Sequence, residues 1–136
     1  MNPFIKWILL YVLTLVLFLA IDLCWLGWLA KDLYKKQLGH LMTDTVNWTA
    51  ALIFYCIFIA ALLFFVIQPA IEKKDLGFAL LSGAFFGLVT YATYDLTNLA
   101  TLRSWPQQIV YIDICWGTVL CTLVSGGSFY LHKFIG

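Results

Sequence analysis

Charged residues are scarce in this sequence of 136 residues. Asp, Glu, Lys and Arg together make up 11% of the chain, whereas soluble globular domains carry about a quarter. The formal net charge is only +1, which gives no electrostatic reason to expect a nucleic-acid partner. So few charged side chains cannot cover a water-exposed surface, so the composition excludes an ordinary soluble domain.

The sequence also lacks the motifs of familiar enzyme and metal chemistry. It contains no H-E-x-x-H, no G-x-S-x-G, no histidine cluster and no Gly-rich phosphate loop. The four cysteines form no C-x-x-C pair and lie inside apolar runs, as expected of small buried side chains; they are Cys24, Cys56, Cys115 and Cys121. We therefore predict no metal site and no disulfide framework, and the sequence identifies no cofactor.

Long apolar runs dominate what is present. Hydrophobic residues make up 63% of the chain, and they gather into four runs that each reach the roughly 20 residues needed to cross a bilayer. The first run is longer than the apolar core of a cleaved signal peptide, so we expect it to be the first span. The sequence predicts an all-α membrane protein, a four-transmembrane-helix bundle forming a single polytopic domain over 1–136. The helices are expected at about 4–30, 46–67, 76–102 and 107–131.

One apolar run contains an unusual concentration of polar side chains. The segment Tyr91–Leu102 reads Y-A-T-Y-D-L-T-N-L-A-T-L. A carboxylate inside hydrocarbon costs about 2.5–3.5 kcal/mol on insertion scales, and intramembrane carboxylates commonly mark ion paths, proton relays or ligand sites. The segment therefore predicts a functional site, without naming its chemistry.

Three aspartates are predicted to lie at one depth. Asp22 and Asp95 come about seven or eight residues before the end of their helices, and Asp113 comes about six after the start of the last helix. At 1.5 Å per residue, all three should sit about 9–12 Å inside the same membrane face. Tyr55 has a comparable depth, so we expect one interior site shared by four helices.

Helical spacing adds neighbours to this predicted site. Residues three or four apart share a helix face, which groups Tyr91 and Asn98 with Asp95, and a tryptophan with each of the other two aspartates. Indole N–H groups can donate to carboxylates. The predicted ligand-binding residues are Asp22, Trp25, Tyr55, Tyr91, Tyr94, Asp95, Asn98, Asp113 and Trp116.

Two further patterns have alternative interpretations. Asp22–Leu29 and Asp95–Leu102 both read D-L-x-x-L-small-x-L, which indicates either two repeated helical hairpins or a chance agreement among leucine-rich helices. The polar stretch Lys31–Asp44 carries apolar residues at helical spacing, which is typical of a short interfacial helix. A plain connecting loop is the alternative.

The sequence resembles a family of small bacterial membrane proteins catalogued as a domain of unknown function. The likeness is carried by the segment Tyr91–Thr101, by Trp105-Pro106, by Asp22 with Trp25, and by Asp113-Ile-Cys-Trp-Gly117. It implies a multi-pass, four-helix protein of the bacterial inner (cytoplasmic) membrane. The family brings no established activity, so the resemblance assigns no catalytic role to any residue.

Three functions remain open at this point. The favoured one is binding or transport of a small amphipathic or cationic ligand, or of protons, at the site of the three aspartates. Full alternating access with only four helices would require a homodimer. The alternatives are a membrane enzyme acting on a lipid or isoprenoid, with paired carboxylates as general acid and base, and a structural partner of a larger membrane complex. The expected partners are the lipid bilayer and a lipid or small-molecule ligand.

Overall fold

The computed structural model describes residues 2–136. Within them, four helices are long and apolar enough to span a membrane: α1 Pro3–Leu29, α3 Trp48–Lys73, α4 Leu76–Thr101 and α5 Gln107–Ile135. A shorter helix, α2 (Lys31–Leu38), and a 3₁₀ turn (Gly39–Leu41) connect the first two spans. The residues in this range form no strand, so the predicted all-α membrane fold is confirmed.

Polar capping residues set where three of the spans begin. Asn2 accepts a hydrogen bond from the backbone N–H of Phe4 at 2.8 Å, and Asn47 does the same for Ala50 at 3.0 Å. Asp75 caps α4 through the N–H of Phe78 at 3.1 Å. Each side chain satisfies a backbone donor that has no partner inside the helix. The spans therefore begin at short polar residues next to apolar runs.

Helix α3 continues beyond the predicted end at Ile67. It passes through Pro69 and ends at Lys73, and Leu63–Ile67 form a π-helical turn just before the proline. In a regular α-helix the proline ring would collide with the carbonyl four residues earlier and one hydrogen bond would be lost. A wider π turn at this point relieves that collision. The predicted end of this helix at about residue 67 was therefore wrong.

Helix α5 lies at the centre of the bundle. Half of its most apolar stretch is buried, against 17–28% for the other spans. Helix α4 packs closely along it, α1 contacts another side, and α3 reaches it through Leu63–Ile67. The main core joins all these helices; its fully buried members include Leu10, Phe18, Ile59, Leu62, Leu120 and Val124.

Glycines allow α4 and α5 to approach each other closely. A Cβ added at Gly87 would overlap the backbone carbonyl of Gly117, and one added at Gly83 would lie 2.8 Å from the carbonyl oxygen of Cys121. A Cβ at Gly117 would in turn overlap the ring of Tyr91. Gly83 and Gly87 therefore form the packing surface between these helices, and Tyr91 packs against α5 at Gly117.

Helices α3 and α4 are close at one end and separate at the other. Their close backbone contacts involve Leu63–Lys73, and the rings of Phe58 and Phe86 meet with centroids 5.4 Å apart. Farther toward the start of α3, Phe54 is 51% exposed, and Tyr94 on the facing helix is 56% exposed. The separation leaves a space between the two spans at the end of the bundle near α2.

Candidate functional site

The space between the helices is a cavity of about 630 Å³, a size typical of small-molecule sites. All four spans and α2 contribute to its walls. The lining residues are Asp22, Leu26, Tyr34, Leu38, Phe54, Phe58, Val89, Thr90, Tyr91, Thr93, Tyr94, Asp95, Ile109, Asp113 and Trp116. Across residues 2–136, no lysine, arginine or histidine lines this cavity.

The three predicted aspartates line this one cavity. Asp22 is 5% exposed, Asp95 is 1% exposed and Asp113 is 9% exposed. They come from α1, α4 and α5, as expected from counting residues back from each helix end. The aspartates lie at one level because each is a similar number of residues from the helix end at the same membrane face, and each residue adds the same rise.

Asp22 is held by two donors from other helices. The indole Nε1 of Trp116 donates to Oδ1 of Asp22 at 3.2 Å, and the hydroxyl of Tyr55 donates to Oδ2 at 3.4 Å. Both carboxyl oxygens therefore have a partner. This aspartate joins α1, α3 and α5, so it has a structural role whatever else it does.

Asp113 is held from outside the spans, by α2. The hydroxyl of Tyr34 donates to Oδ1 of Asp113 at 2.6 Å, and it accepts from the indole of Trp25 at 3.1 Å. Burial, together with the hydrogen bond to Asp113, raises the pKa of Tyr34 above its ordinary value. Tyr34 is therefore a neutral phenol at physiological pH and a permanent donor to the carboxylate.

Trp25 and Trp116 each support an aspartate on another helix through hydrogen bonds. Trp116 donates to Asp22, and Trp25 acts on Asp113 through Tyr34. The two indoles stack with ring centroids 4.4 Å apart and an angle of 9° between their planes. A side chain on the same face as an aspartate points at the facing helix, so its donor reaches the carboxylate there. A π-helical turn, Trp25–Leu29, begins at the first of these indoles, and such turns often occur at functional sites.

Asp95 differs from the other two aspartates. In the part of the chain that the structure describes, its Oδ2 is buried and has no hydrogen-bond partner. The charged neighbour that Asp95 faces is Asp113. A carboxylate offers only acceptors, so this neighbour cannot satisfy Asp95 unless one of the two carries a proton. Among the described residues, Oδ2 of Asp95 therefore has no donor unless Asp95 or Asp113 carries a proton.

The other predicted residues divide into two groups. Tyr91 and Tyr94 line the cavity with Asp95, as their spacing predicts. Asn98, Trp25 and Tyr55 are not among the lining residues within 2–136. Asn98 is partly buried and lies one turn nearer the end of α4, whereas Trp25 and Tyr55 contact the site through the hydrogen bonds described above. On α4 the lining residues end at Asp95, so Asn98 lies just beyond them.

Sequence reasoning missed several lining residues. Tyr34 falls in the stretch where we expected an interfacial helix, and its apolar spacing with Leu38 was the available signal. Phe54, Phe58 and Thr93 line the cavity as well, but ordinary residues in an apolar run carry no mark of this role. Their place depends on how far α3 and α4 separate.

The three carboxylates share a cavity without converging on a point. Over the described residues 2–136, no three side chains of His, Cys, Asp and Glu come together as they would around a metal ion. Two of the acids, Asp95 and Asp113, face each other, and aromatic rings line the cavity around them. Such a surface suits a bulky organic group better than a compact, strongly hydrated metal ion.

The fold and the cavity together define a multi-pass membrane protein with buried carboxylates. Residues 7–130 match the family described as "Predicted membrane protein (DUF2177)", a domain of unknown function. The match covers most of the chain, so the protein belongs to this family, and the resemblance in the sequence is confirmed. No curated protein and no solved structure matches it.

Proposed function

We propose that this protein binds a small amphipathic organic cation in the acidic cavity. Asp95 is the observation that carries the proposal. Its carboxyl is 1% exposed, lines the cavity, and has no donor for Oδ2 within the described chain. A carboxylate at this depth costs about 2.5–3.5 kcal/mol. A positively charged ligand group in the cavity would offset that cost.

The walls of the cavity support a cation over an anion or a neutral ligand. The charged lining groups are acids, whereas lysine, arginine and histidine do not line it anywhere in 2–136. The rings of Tyr91, Tyr94 and Trp116 also line it. Aromatic faces attract cations, by about 2 kcal/mol or more where the pair is shielded from water.

The proposal includes a cellular location and an oligomeric state for the protein. The family resemblance supports the bacterial inner membrane as its location. Binding alone requires only one chain, whereas carrying the ligand across by alternating access would require a homodimer, because four helices provide few moving parts.

Binding of decyltrimethylammonium tests the proposal. The purified protein is placed in phosphatidylcholine nanodiscs, and the fluorescence of its tryptophans is followed as the probe is added. We expect saturable binding that Asp95→Asn weakens at least tenfold, since the substitution removes the acid without a partner. Decanol, which has the same chain without the charge, should not bind the site.

Asp44→Asn provides the matched control for charge. Asp44 is exposed in the connection between α2 and α3, so its substitution removes the same charge far from the cavity and should leave binding unchanged. Equal binding of decanol, or equal weakening by the two substitutions, would mean that Asp95 does not hold a cation. A competing role as a proton site predicts Asp95-dependent proton uptake as the pH is lowered, with no probe binding at all.

A further inference from the structure

We infer that the ligand carries a single alkyl chain and enters the cavity sideways from the bilayer, between α3 and α4. This inference rests on the proposed cation site and adds to it the shape of the ligand and its route. Three features of the molecule support it: the aqueous end of the cavity is covered, its lipid side is open, and its polar groups gather at one end.

Helix α2 covers the end of the cavity that faces water. The hydroxyl of Tyr34 binds Asp113, and Leu38 lines the cavity one turn later. Two further contacts hold this segment over the start of α5 and the loop that precedes it. Gln37 Nε2 donates to Gln108 Oε1 at 3.3 Å, and His40 Nε2 lies 3.1 Å from the carbonyl oxygen of Ser104. A ligand arriving from water would have to displace this helix.

The lipid side has no such cover. Beyond the contact of Phe58 with Phe86, helices α3 and α4 separate, and exposed residues from both helices line the cavity. Phe54 lies on one side of this gap, and Thr93 and Tyr94 lie on the other. The outer faces of membrane spans meet hydrocarbon. The gap therefore opens to acyl chains.

The cavity has a polar end and an apolar body. The aspartates and Phe54 lie at the end near α2, whereas Phe58 and Val89 form walls farther from α2. Val89 precedes Asp95 by six residues, which is about 9 Å along a helix. This arrangement matches a charged head followed by an alkyl chain.

Two threonines in the walls do not change this apolar character. Thr90 donates its hydroxyl to the carbonyl of Phe86 at 2.8 Å, and Thr93 donates to the carbonyl of Val89 at 2.6 Å. Their hydroxyls already donate hydrogen bonds within α4, so they need no hydrogen-bond partner from a ligand. A ligand that fills this part of the cavity needs no hydrogen-bonding groups.

A series of trimethylammonium compounds tests the inference. Tetramethylammonium, hexyltrimethylammonium and decyltrimethylammonium share one charge and differ in chain length. Their affinities for the protein in phosphatidylcholine nanodiscs are compared at equal concentration in the lipid phase, so that partition into the bilayer does not count. We expect at least a tenfold gain from the first compound to the last.

A bulky side chain at the gap tests the route. Thr93→Trp places an indole at the mouth of the cavity and should weaken decyltrimethylammonium binding at least tenfold; Val89→Trp is a second plug of the same kind. Leu81→Trp is the control, because Leu81 is 76% exposed on the same helix and does not line the cavity formed within residues 2–136. It should leave binding unchanged.

The outcomes separate the inference from the proposal on which it rests. If none of the three compounds binds in a way that depends on Asp95, the cation site itself is wrong. If binding depends on Asp95 but is the same for every chain length and is indifferent to both plugs, the cation site stands and the lateral route does not.

Discussion

The half of the bundle around Thr14 and Ser128 differs from the half around Asp95 in how it treats buried polar groups. Thr14 and Ser128 are both fully buried, and their hydroxyls bond each other at 2.8 Å across α1 and α5. Asp95 is as deeply buried but, in residues 2–136, has no such partner for Oδ2. The hydroxyl of Ser125, one turn from Ser128, is also buried without a partner within 2–136, but Ser125 does not line the cavity, whereas Asp95 does.

This difference distinguishes polar groups that stabilise the fold from a polar group that the fold leaves without a partner. A matched hydroxyl pair costs little to bury because each satisfies the other. An unmatched carboxylate lowers stability, and proteins commonly tolerate such a cost at functional sites. The comparison therefore supports the proposal that Asp95, rather than Asp22 or Asp113, binds the charged group of the ligand.

The largest loss of stability is expected from Gly87→Ala, which alters the packing surface between α4 and α5. Its Cβ would overlap the carbonyl of Gly117, and a backbone group cannot turn aside as a side chain can. Forcing α4 and α5 apart should lower the free energy of unfolding by roughly 1–3 kcal/mol, as overpacking does elsewhere. Reversible unfolding in mixed micelles measures the change.

Gly27→Ala is the control for this substitution. The position has no atom within 4 Å of an added Cβ, counting every residue that the structure describes. It should therefore change stability by only a few tenths of a kcal/mol, in the range of ordinary surface substitutions. Equal losses at the two positions would show that the close approach of α4 and α5 does not limit stability.

A second prediction concerns two aspartates whose substitutions should act in opposite directions. Asp95→Asn removes a buried charge that has no donor and should raise the free energy of unfolding by about 1–2 kcal/mol, part of the cost of an intramembrane carboxylate. Asp22→Asn leaves one amide oxygen for two donors, Trp116 and Tyr55. It should lower stability by about 1 kcal/mol, because hydrogen bonds to charged groups are strong.

The same unfolding experiment compares the two variants directly. If both substitutions lower stability by similar amounts, Asp95 is satisfied in the folded protein and the contrast between the two halves fails. Asp113→Asn should lower stability by less than Asp22→Asn, because its amide oxygen can still accept from the one donor, Tyr34. It gives an independent check within the same cavity.

Much of this site could be predicted from distances along single helices. The four spans follow from apolar runs, because a bilayer requires about 20 residues for each crossing. The shared level of Asp22, Asp95 and Asp113 follows from their offsets from the helix ends, because the rise per residue is constant. These inferences need no knowledge of how the helices face one another.

The rest depends on the rotation and separation of helices, which the spacing along one helix does not contain. Trp116 serves Asp22 rather than its own neighbour Asp113, and Tyr34 completes the site from a segment outside the spans. Asn98 shares a face with Asp95 but lies just beyond the residues of α4 that line the cavity. The π turn before Pro69 likewise reflects strain relief that a proline alone does not reveal.

The smallest expected effect is the coupling of Thr14 to Ser128 in the closed half. Thr14→Val, Ser128→Ala and the double substitution form a double-mutant cycle, which isolates the energy of the hydroxyl pair. Hydrogen bonds between membrane helices average about 0.6 kcal/mol in such cycles, and we expect a coupling of that size. Ligand binding should not change in any of the three variants. A coupling near zero would mean that this pair does not stabilise the packing of α1 on α5. A loss of binding would mean that the pair also affects the cavity. Either result would contradict the distinction between the structural half and the functional half of the bundle.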